Sequence, residues 1–236
     1  MWSIDSFDLG GAWDATQLAK WDTALRALHV DAPDLVRTPS VTALDALATA
    51  STLPGSSYVP AHGAVYPDTG LGEALTNVAQ LIKNDVGLQV AAVDYGDWDM
   101  HVDLGAVDNG WMFDKLTELS SALAAFATDL GAAAMNKVTL VTLTEFGRRA
   151  EENGSGGVDH GYGQAVLLLG GGIKGGQVHG AWPGLAPADL LDGDLNGVND
   201  YRLVLAEILE KRCEATTVSN VFPGIDGTRF GVATQA

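Results

Sequence analysis

The sequence predicts an α/β fold that contains a parallel strand–helix–strand unit. Two short, mostly apolar runs at residues 88–95 and 138–143 have the length and composition of buried strands. Between them, residues 110–133 are rich in alanine and leucine and periodic, as expected of a helix. A helix of this length between two strands predicts parallel pairing with a right-handed crossover.

The segments before this unit are predicted to be mainly helical. Apolar side chains recur at helical spacing over residues 14–29, and residues 41–50 and 71–86 predict two further helices. Proline and glycine punctuate residues 51–70, so we expect an irregular connection there.

The segments after the unit complete a single predicted domain. Residues 164–169 predict a third strand, residues 170–199 are rich in glycine and turns, and residues 200–212 predict a terminal helix. The sequence contains neither an internal repeat nor a clear linker. We therefore expect residues 1–236 to form one domain.

Composition argues against several classes of protein. The chain has 236 residues, 47% of them hydrophobic, which suits one substantial core. Its 30 acidic and 13 basic residues give a formal charge of −17, which argues against nucleic acid as a partner because phosphates need basic side chains. No stretch reaches the roughly 20 apolar residues of a membrane span, and the first residues lack the profile of a secretory signal.

Two acid–histidine pairs follow the two predicted strands. Asp99 and His101 come after the first strand, and Asp159 and His160 lie in a glycine-rich loop after the second. Parallel strands end at the same edge of a sheet, so the two pairs are expected to meet there. Carboxylate and imidazole groups are typical ligands of zinc-like or manganese-like ions. The sequence therefore predicts a site for one or two divalent metal ions.

Each of these pairs also has an ordinary structural explanation. An aspartate can cap a turn, and its neighbouring histidine can belong to the core. The Asp99–His101 pair alone is as well explained by turn hydrogen bonds, and only the expected convergence with Asp159 and His160 favours ligation.

Glu145 and Arg148 follow the second predicted strand. Glu145 is a candidate metal ligand or a partner of one, and the alternative is an ordinary ion pair with Arg148 or Arg149. Arg148 is a candidate contact for an anionic substrate, since a guanidinium can bind an oxyanion through two hydrogen bonds. The alternative for Arg148 is a solvated or structural arginine.

Two other motifs are set aside. Residues 170–175 match G-x-G-x-x-G after a strand, but the following residues do not predict the helix that a dinucleotide site requires. Residues 192–200 imitate the start of a calcium-binding loop, but Leu203 stands where the bidentate glutamate should be. Asp200 is better suited to cap the terminal helix.

Several short motifs follow one another in the second part of the sequence. They are, in order, Trp98-Asp-x-His101, Glu145-Phe-Gly-Arg148, Asn153-Gly-Ser-Gly-Gly, Asp159-His-Gly161, Gly175-Gly176, Trp182-Pro-Gly184, Asp200-Tyr-Arg202 and Val221-Phe-Pro-Gly224. Together they resemble the bacterial family called domain of unknown function 1501. The resemblance covers residues 66–225, while residues 1–65 are a divergent, helical part.

This resemblance implies membership of the alkaline-phosphatase-like superfamily, which includes sulfatases. It implies a three-layer α/β/α sandwich with a mostly parallel sheet and one or two divalent ions. Asp159 and His160 are similar to the superfamily's Asp-His metal pair, Asp99 and His101 to a second group, and Glu145 to a further carboxylate. The implied activity is hydrolysis or transfer of phosphate or sulfate esters, with a small anionic ester as substrate. Family members are often exported, which implies a periplasmic or secreted protein.

The chain also departs from the pattern it resembles. Relatives carry an upstream segment with the first core strand and a Ser or Thr nucleophile, and residues 1–65 contain no match to it. We therefore expect a chain that lacks its N-terminal strand or strands, with no identifiable nucleophile and little turnover. The alternatives are a non-catalytic module that retains the fold to bind a metal or a partner, and a gene fragment.

Overall fold

The computed structural model describes residues 15–50 and 52–235. These contain five α-helices, two short 3-10 helices and four short strands. The helices are α1 (Ala15–His29), α2 (Asp34–Ala50), α3 (Gly70–Lys83), α4 (Trp111–Met135) and α5 (Tyr201–Arg212). The strands are β1 (Thr139–Val141), β2 (Gly147–Arg148), β3 (His160–Gly161) and β4 (Leu168–Gly170). The 3-10 helices are Gly55–Ser57 and Val218–Asn220.

Contacts between Cα atoms divide the chain into two compact units. The first unit comprises the described residues up to Tyr95 together with Ser121–Asp129. The second comprises Gly96–Ser120 and the described chain from Leu130 onward. The middle of α4 therefore belongs to the first unit and its two ends to the second. The single domain over residues 1–236 stays a prediction.

Helices α1 to α3 confirm the helical prediction for the first unit. Helix α1 agrees with the predicted residues 14–29, of which residue 14 lies outside the described residues. Helix α2 begins before the predicted residue 41. Helix α3 begins at a Thr69 cap whose side chain accepts from Gly72 N at 3.3 Å. It ends before the predicted residue 86, at the C-cap residue Asn84, whose side chain donates to the Gln80 carbonyl at 2.8 Å.

A buried carboxylate ties the irregular part of the first unit to its helices. Asp129 on α4 is fully buried. It accepts hydrogen bonds from Tyr58 Oη at 2.7 Å, Ala61 N at 2.6 Å and Tyr66 Oη at 3.0 Å. Lys83 Nζ at the end of α3 lies 2.5 Å away and completes an ion pair. The charge of Asp129 is thus matched by a cation and three further donors, as a buried carboxylate requires.

The strands of the second unit form two antiparallel pairs. β1 pairs with β4, and β2 pairs with β3. β1 and β4 confirm the predicted strands near residues 138–143 and 164–169, in shorter form. Helix α4 confirms the predicted helix over residues 110–133, with a non-helical Gly131 (φ +65°) near its end.

The predicted parallel unit is not formed among the described residues. Residues 88–95 belong to no described strand, and Val90 is 74% exposed. A parallel strand is stable when both of its faces are covered, and this run is mostly at the surface. The α/β/α sandwich of the alkaline-phosphatase type stays a prediction.

The C-terminal part of the second unit is held by α5. Asp200 caps α5 by accepting from Arg202 N at 2.9 Å, which confirms its predicted role. The buried Glu207 accepts from Gly231 N at 2.7 Å and Ala233 N at 2.9 Å.

In the part of the chain that the structure describes, no helix combines the length and the apolar character needed to cross a membrane.

Candidate metal centre

The candidate centre is built on the hairpin of β2 and β3. In this hairpin Gly147 lies opposite Gly161, and Arg148 lies opposite His160. A Cβ atom at Gly161 would overlap the backbone of Arg148, so only glycine allows the strands to approach this closely. The hairpin thereby fixes the position of His160.

A second segment, residues 98–104, runs along the loop of this hairpin. Val158 N donates to Met100 O at 2.9 Å, and Leu104 N donates to Gly156 O at 2.8 Å. Met100 is fully buried and anchors the segment. These backbone bonds bring the neighbours of Met100 in sequence beside the loop that precedes β3.

Three side chains from these two segments converge. Asp99, His101 and His160 each offer one ligand atom, and these atoms lie within 4.8 Å of one another. His160 Nε2 donates to Asp99 Oδ1 at 2.9 Å. His101 Nε2 lies 3.0 Å from the same oxygen. Between 39% and 64% of each side chain is exposed, so the group is open to solvent.

Asp159 orients one of the two imidazoles. His101 Nδ1 donates to Asp159 Oδ1 at 2.9 Å. An ionised carboxylate only accepts hydrogen bonds, so Nδ1 carries a proton in this contact, and Nε2 faces Asp99. Metal-binding histidines typically show this arrangement, in which a carboxylate behind the ring fixes its tautomer.

Asn153 joins the two segments behind His101. Its Nδ2 donates to His101 O at 3.0 Å and to Asp159 Oδ1 at 2.9 Å. Its Oδ1 accepts from Ser155 N at 2.9 Å and from Gly157 N at 3.1 Å. One side chain thus closes its own loop and attaches that loop to the segment that carries His101.

Arg148 holds the opposite side of the group. Its Nη2 donates to Asp99 Oδ1 and to Trp98 O, both at 2.8 Å. Its Nη1 donates to Val158 O at 3.0 Å. The guanidinium therefore joins the two ligand-bearing segments and fixes the Asp99 carboxylate. A contact between Arg148 and an anionic substrate stays a prediction.

An aromatic ring supports His160. The rings of Phe146 and His160 lie 4.0 Å apart between centroids, tilted by 32°. The His101 and His160 rings are 4.8 Å apart. Phe146 therefore covers one side of His160 and restricts the rotation of its imidazole.

Hydrogen-bond donors lower the pKa of both carboxylates of the centre. Hydrogen bonds from His160 and Arg148 lower the pKa of Asp99 to about 2. Hydrogen bonds from His101 and Asn153 lower the pKa of Asp159. Both groups are therefore ionised at neutral pH, as cation binding requires.

The structure brings together four of the five predicted ligands, in two roles. Asp99, His101 and His160 form the group itself, and Asp159 stands behind His101. Glu145 is exposed and makes no hydrogen bond or ion pair with any described residue. Its role as a ligand stays a prediction.

Asn153 and Phe146 are the supporting residues that sequence reasoning missed. Both lie within the motifs that resemble the family, but their roles depend on contacts with His101 and His160. An asparagine at the start of a glycine-rich turn is the one local sign of such a role, because its side chain readily binds nearby backbone.

Comparison with known proteins places the chain in a family. The model of the family described as "Protein of unknown function (DUF1501)" matches residues 78–196, just over half of the chain. The chain belongs to this family. The matched residues include every member of the candidate centre in this DUF1501 chain. The comparisons with curated proteins and with solved structures found no match.

The donor set of the DUF1501 chain fits a small divalent ion. Two imidazole nitrogens and one carboxylate oxygen are the ligand types that zinc and manganese accept. Bonds of about 2.0–2.1 Å in a tetrahedron place neighbouring ligand atoms about 3.3 Å apart. The two Nε2 atoms lie 2.9 and 3.0 Å from Asp99 Oδ1, somewhat closer than that spacing, and all three ligand atoms lie within 4.8 Å of one another.

Proposed function

We propose that this protein is a metal-dependent enzyme that hydrolyses or transfers phosphate or sulfate esters. The observation that carries the proposal is the convergence of Asp99, His101 and His160 within 4.8 Å. In this proposal the three side chains would hold one divalent ion, for which His160 would release the proton that its Nε2 donates to Asp99. Asp159 orients His101 from behind. The membership of the alkaline-phosphatase-like superfamily that the motifs suggest is part of the same proposal.

In this proposal the bound ion makes the group suitable for an anionic substrate. The chain as a whole carries a formal charge of −17, and Arg148 at this position already pairs with Asp99, so the ion would supply the positive charge. A divalent ion supplies a Lewis acid that polarises an ester oxygen and neutralises the charge that develops on it. The open side of the group, where the side chains are exposed, is where a small ester would approach.

The residues of the chain have separate tasks in this proposal. Asp99 supplies negative charge, and its low pKa keeps it ionised over the whole physiological range. His101 presents Nε2 because Asp159 holds the proton on Nδ1. Arg148 keeps the Asp99 carboxylate facing the two imidazoles.

A second candidate is a module that binds a metal or a partner without catalysis. One observation favours it. No described serine or threonine hydroxyl forms a hydrogen bond with Asp99, His101 or His160, so the described residues offer no nucleophile in contact with the group. Water would then have to serve as the nucleophile in the enzymatic proposal.

The test is metal content together with ester hydrolysis. The chain is stripped of metal, reloaded with Zn²⁺ or Mn²⁺, and assayed with p-nitrophenyl phosphate and p-nitrophenyl sulfate. We expect hydrolysis that depends on the metal. Asp99→Ala and His160→Ala should each abolish stoichiometric metal binding and the activity. His29→Ala, on helix α1, should change neither.

The outcomes separate the two candidates. Metal binding that depends on Asp99, without hydrolysis of either ester, would favour the non-catalytic module. A wild-type chain that binds neither ion would contradict both forms of the metal centre.

A further inference from the structure

We infer that Asn153 is a positioning residue of the metal centre, which selects the tautomer of His101 through Asp159 and joins the two ligand-bearing segments. The inference rests on the metal centre proposed above. It assigns to Asn153 a role beyond the turn in which it lies.

The first step is the reach of the side chain. An asparagine that only shapes its own turn uses its oxygen, and Asn153 Oδ1 does accept from Ser155 N and Gly157 N. Its Nδ2, however, donates to Asp159 Oδ1 and to the backbone carbonyl of His101. These two bonds leave the turn and end on the groups that set the position of the imidazole.

The second step is the shared oxygen. Asp159 Oδ1 accepts from both Asn153 Nδ2 and His101 Nδ1, each at 2.9 Å. Asn153 therefore holds the carboxylate in the rotamer in which this oxygen meets the ring. Without that bond, Asp159 can rotate away, and the proton of His101 is free to move to Nε2. A protonated Nε2 has no lone pair for a cation.

Substitution by aspartate separates the two roles of Asn153. Asn153→Asp keeps an oxygen that accepts from the turn, but it replaces the Nδ2 donor with a carboxylate oxygen that faces Asp159. Asn153→Ser keeps a weaker turn acceptor without placing a second acid there. Asn199→Ala is the matched control, because Asn199 fastens another loop of the same unit through Ala181 N and Ala181 O.

The measurements are zinc affinity by calorimetry and the tautomer of His101 by ¹⁵N NMR of the ring, both on the full chain. We expect zinc affinity to fall by about 10–100-fold in Asn153→Asp and by about tenfold in Asn153→Ser. Both variants should lose the single Nδ1-protonated tautomer of His101. The control should stay near the wild-type value in both measurements. Circular dichroism checks folding, and Asn153→Ser decides the test if the aspartate variant does not fold.

Two results would overturn the inference. Wild-type zinc affinity in the folded Asn153 variants would show a role confined to the turn, while the proposed metal centre would stand. Absence of zinc binding by the wild-type chain would remove the proposed function and this inference with it.

Discussion

At the residue scale, the candidate centre depends on one oxygen atom. Asp99 Oδ1 accepts from His160 and Arg148 and lies 3.0 Å from His101 Nε2. The guanidinium stays protonated at physiological pH, so among these three groups it is the one that cannot become a metal ligand. Arg148 therefore acts on this carboxylate only as a donor, and its bond fixes the orientation of Asp99.

Arg148→Lys tests this fixed contact. A lysine keeps the charge but cannot donate to Asp99, Trp98 and Val158 from one planar group. We expect zinc affinity to fall by about tenfold, as it does when supporting residues of metal sites are changed. Arg149→Lys is the control, because Arg149 contacts Asp192 and Asp194 instead. Equal zinc affinity in the two variants would assign Arg148 no special part in holding Asp99.

At the scale of elements, helices followed from the sequence far better than strand pairing did. Helices α3, α4 and α5 combine periodic apolar residues with local ends such as the Asp200 cap. Such signs lie within a few residues of one another. Residues 88–95 have the composition of a strand, but a strand also needs a distant partner, and composition does not identify one.

The site shows the same division between local and distant information. The two acid–histidine pairs were recognisable from their own residues, and a shared sheet edge was the predicted reason for their meeting. The structure brings them together differently, through backbone bonds from residues 100–104 to residues 156–158. The role of Asn153 depends on His101, which lies in the other segment, so the sequence around Asn153 does not reveal it.

Gly157→Ala tests the close approach of these two segments. A Cβ atom at Gly157 would overlap the carbonyl group of His101, whereas one at Gly154 would meet no atom within 4 Å. We expect Gly157→Ala to lower the free energy of unfolding by about 1–3 kcal/mol and to weaken zinc binding, since the segments must separate. Gly154→Ala, in the same loop, should change neither quantity. Denaturant unfolding measures the first effect and zinc calorimetry the second. A Gly157→Ala variant with the wild-type stability and zinc affinity would contradict this close packing of the two segments.

At the scale of the whole molecule, the acidic excess makes each buried carboxylate costly. A formal charge of −17 repels itself in the compact state, and burial adds a desolvation penalty. Asp129 is tolerated because Lys83 and the two tyrosine hydroxyls surround it. Although burial opposes its ionisation, hydrogen bonds from Lys83 and Tyr58 lower the pKa of Asp129. The stability of the chain should therefore depend on this group and on pH.

Asp129→Asn tests this dependence. Removing the charge leaves Lys83 without its ionic partner, although Lys83 keeps its hydrogen bond to the Tyr58 hydroxyl. We expect a loss of about 3–5 kcal/mol in the free energy of unfolding at pH 7. Because the pKa of Asp129 is lower in the folded state than its unfolded value of about 3.9, the wild-type advantage is complete above that value. It should shrink as the pH falls through the folded pKa, where the carboxylate becomes protonated. Asp22→Asn, which removes a solvent-accessible helix pair with Arg26, should change the free energy of unfolding far less, because Arg26 also pairs with Asp45. Urea unfolding of the wild type and of the two variants from pH 7 to pH 3 measures these differences. If the wild type exceeds Asp129→Asn in the free energy of unfolding by the same amount over this whole range, the charge of Asp129 is not the source of the difference.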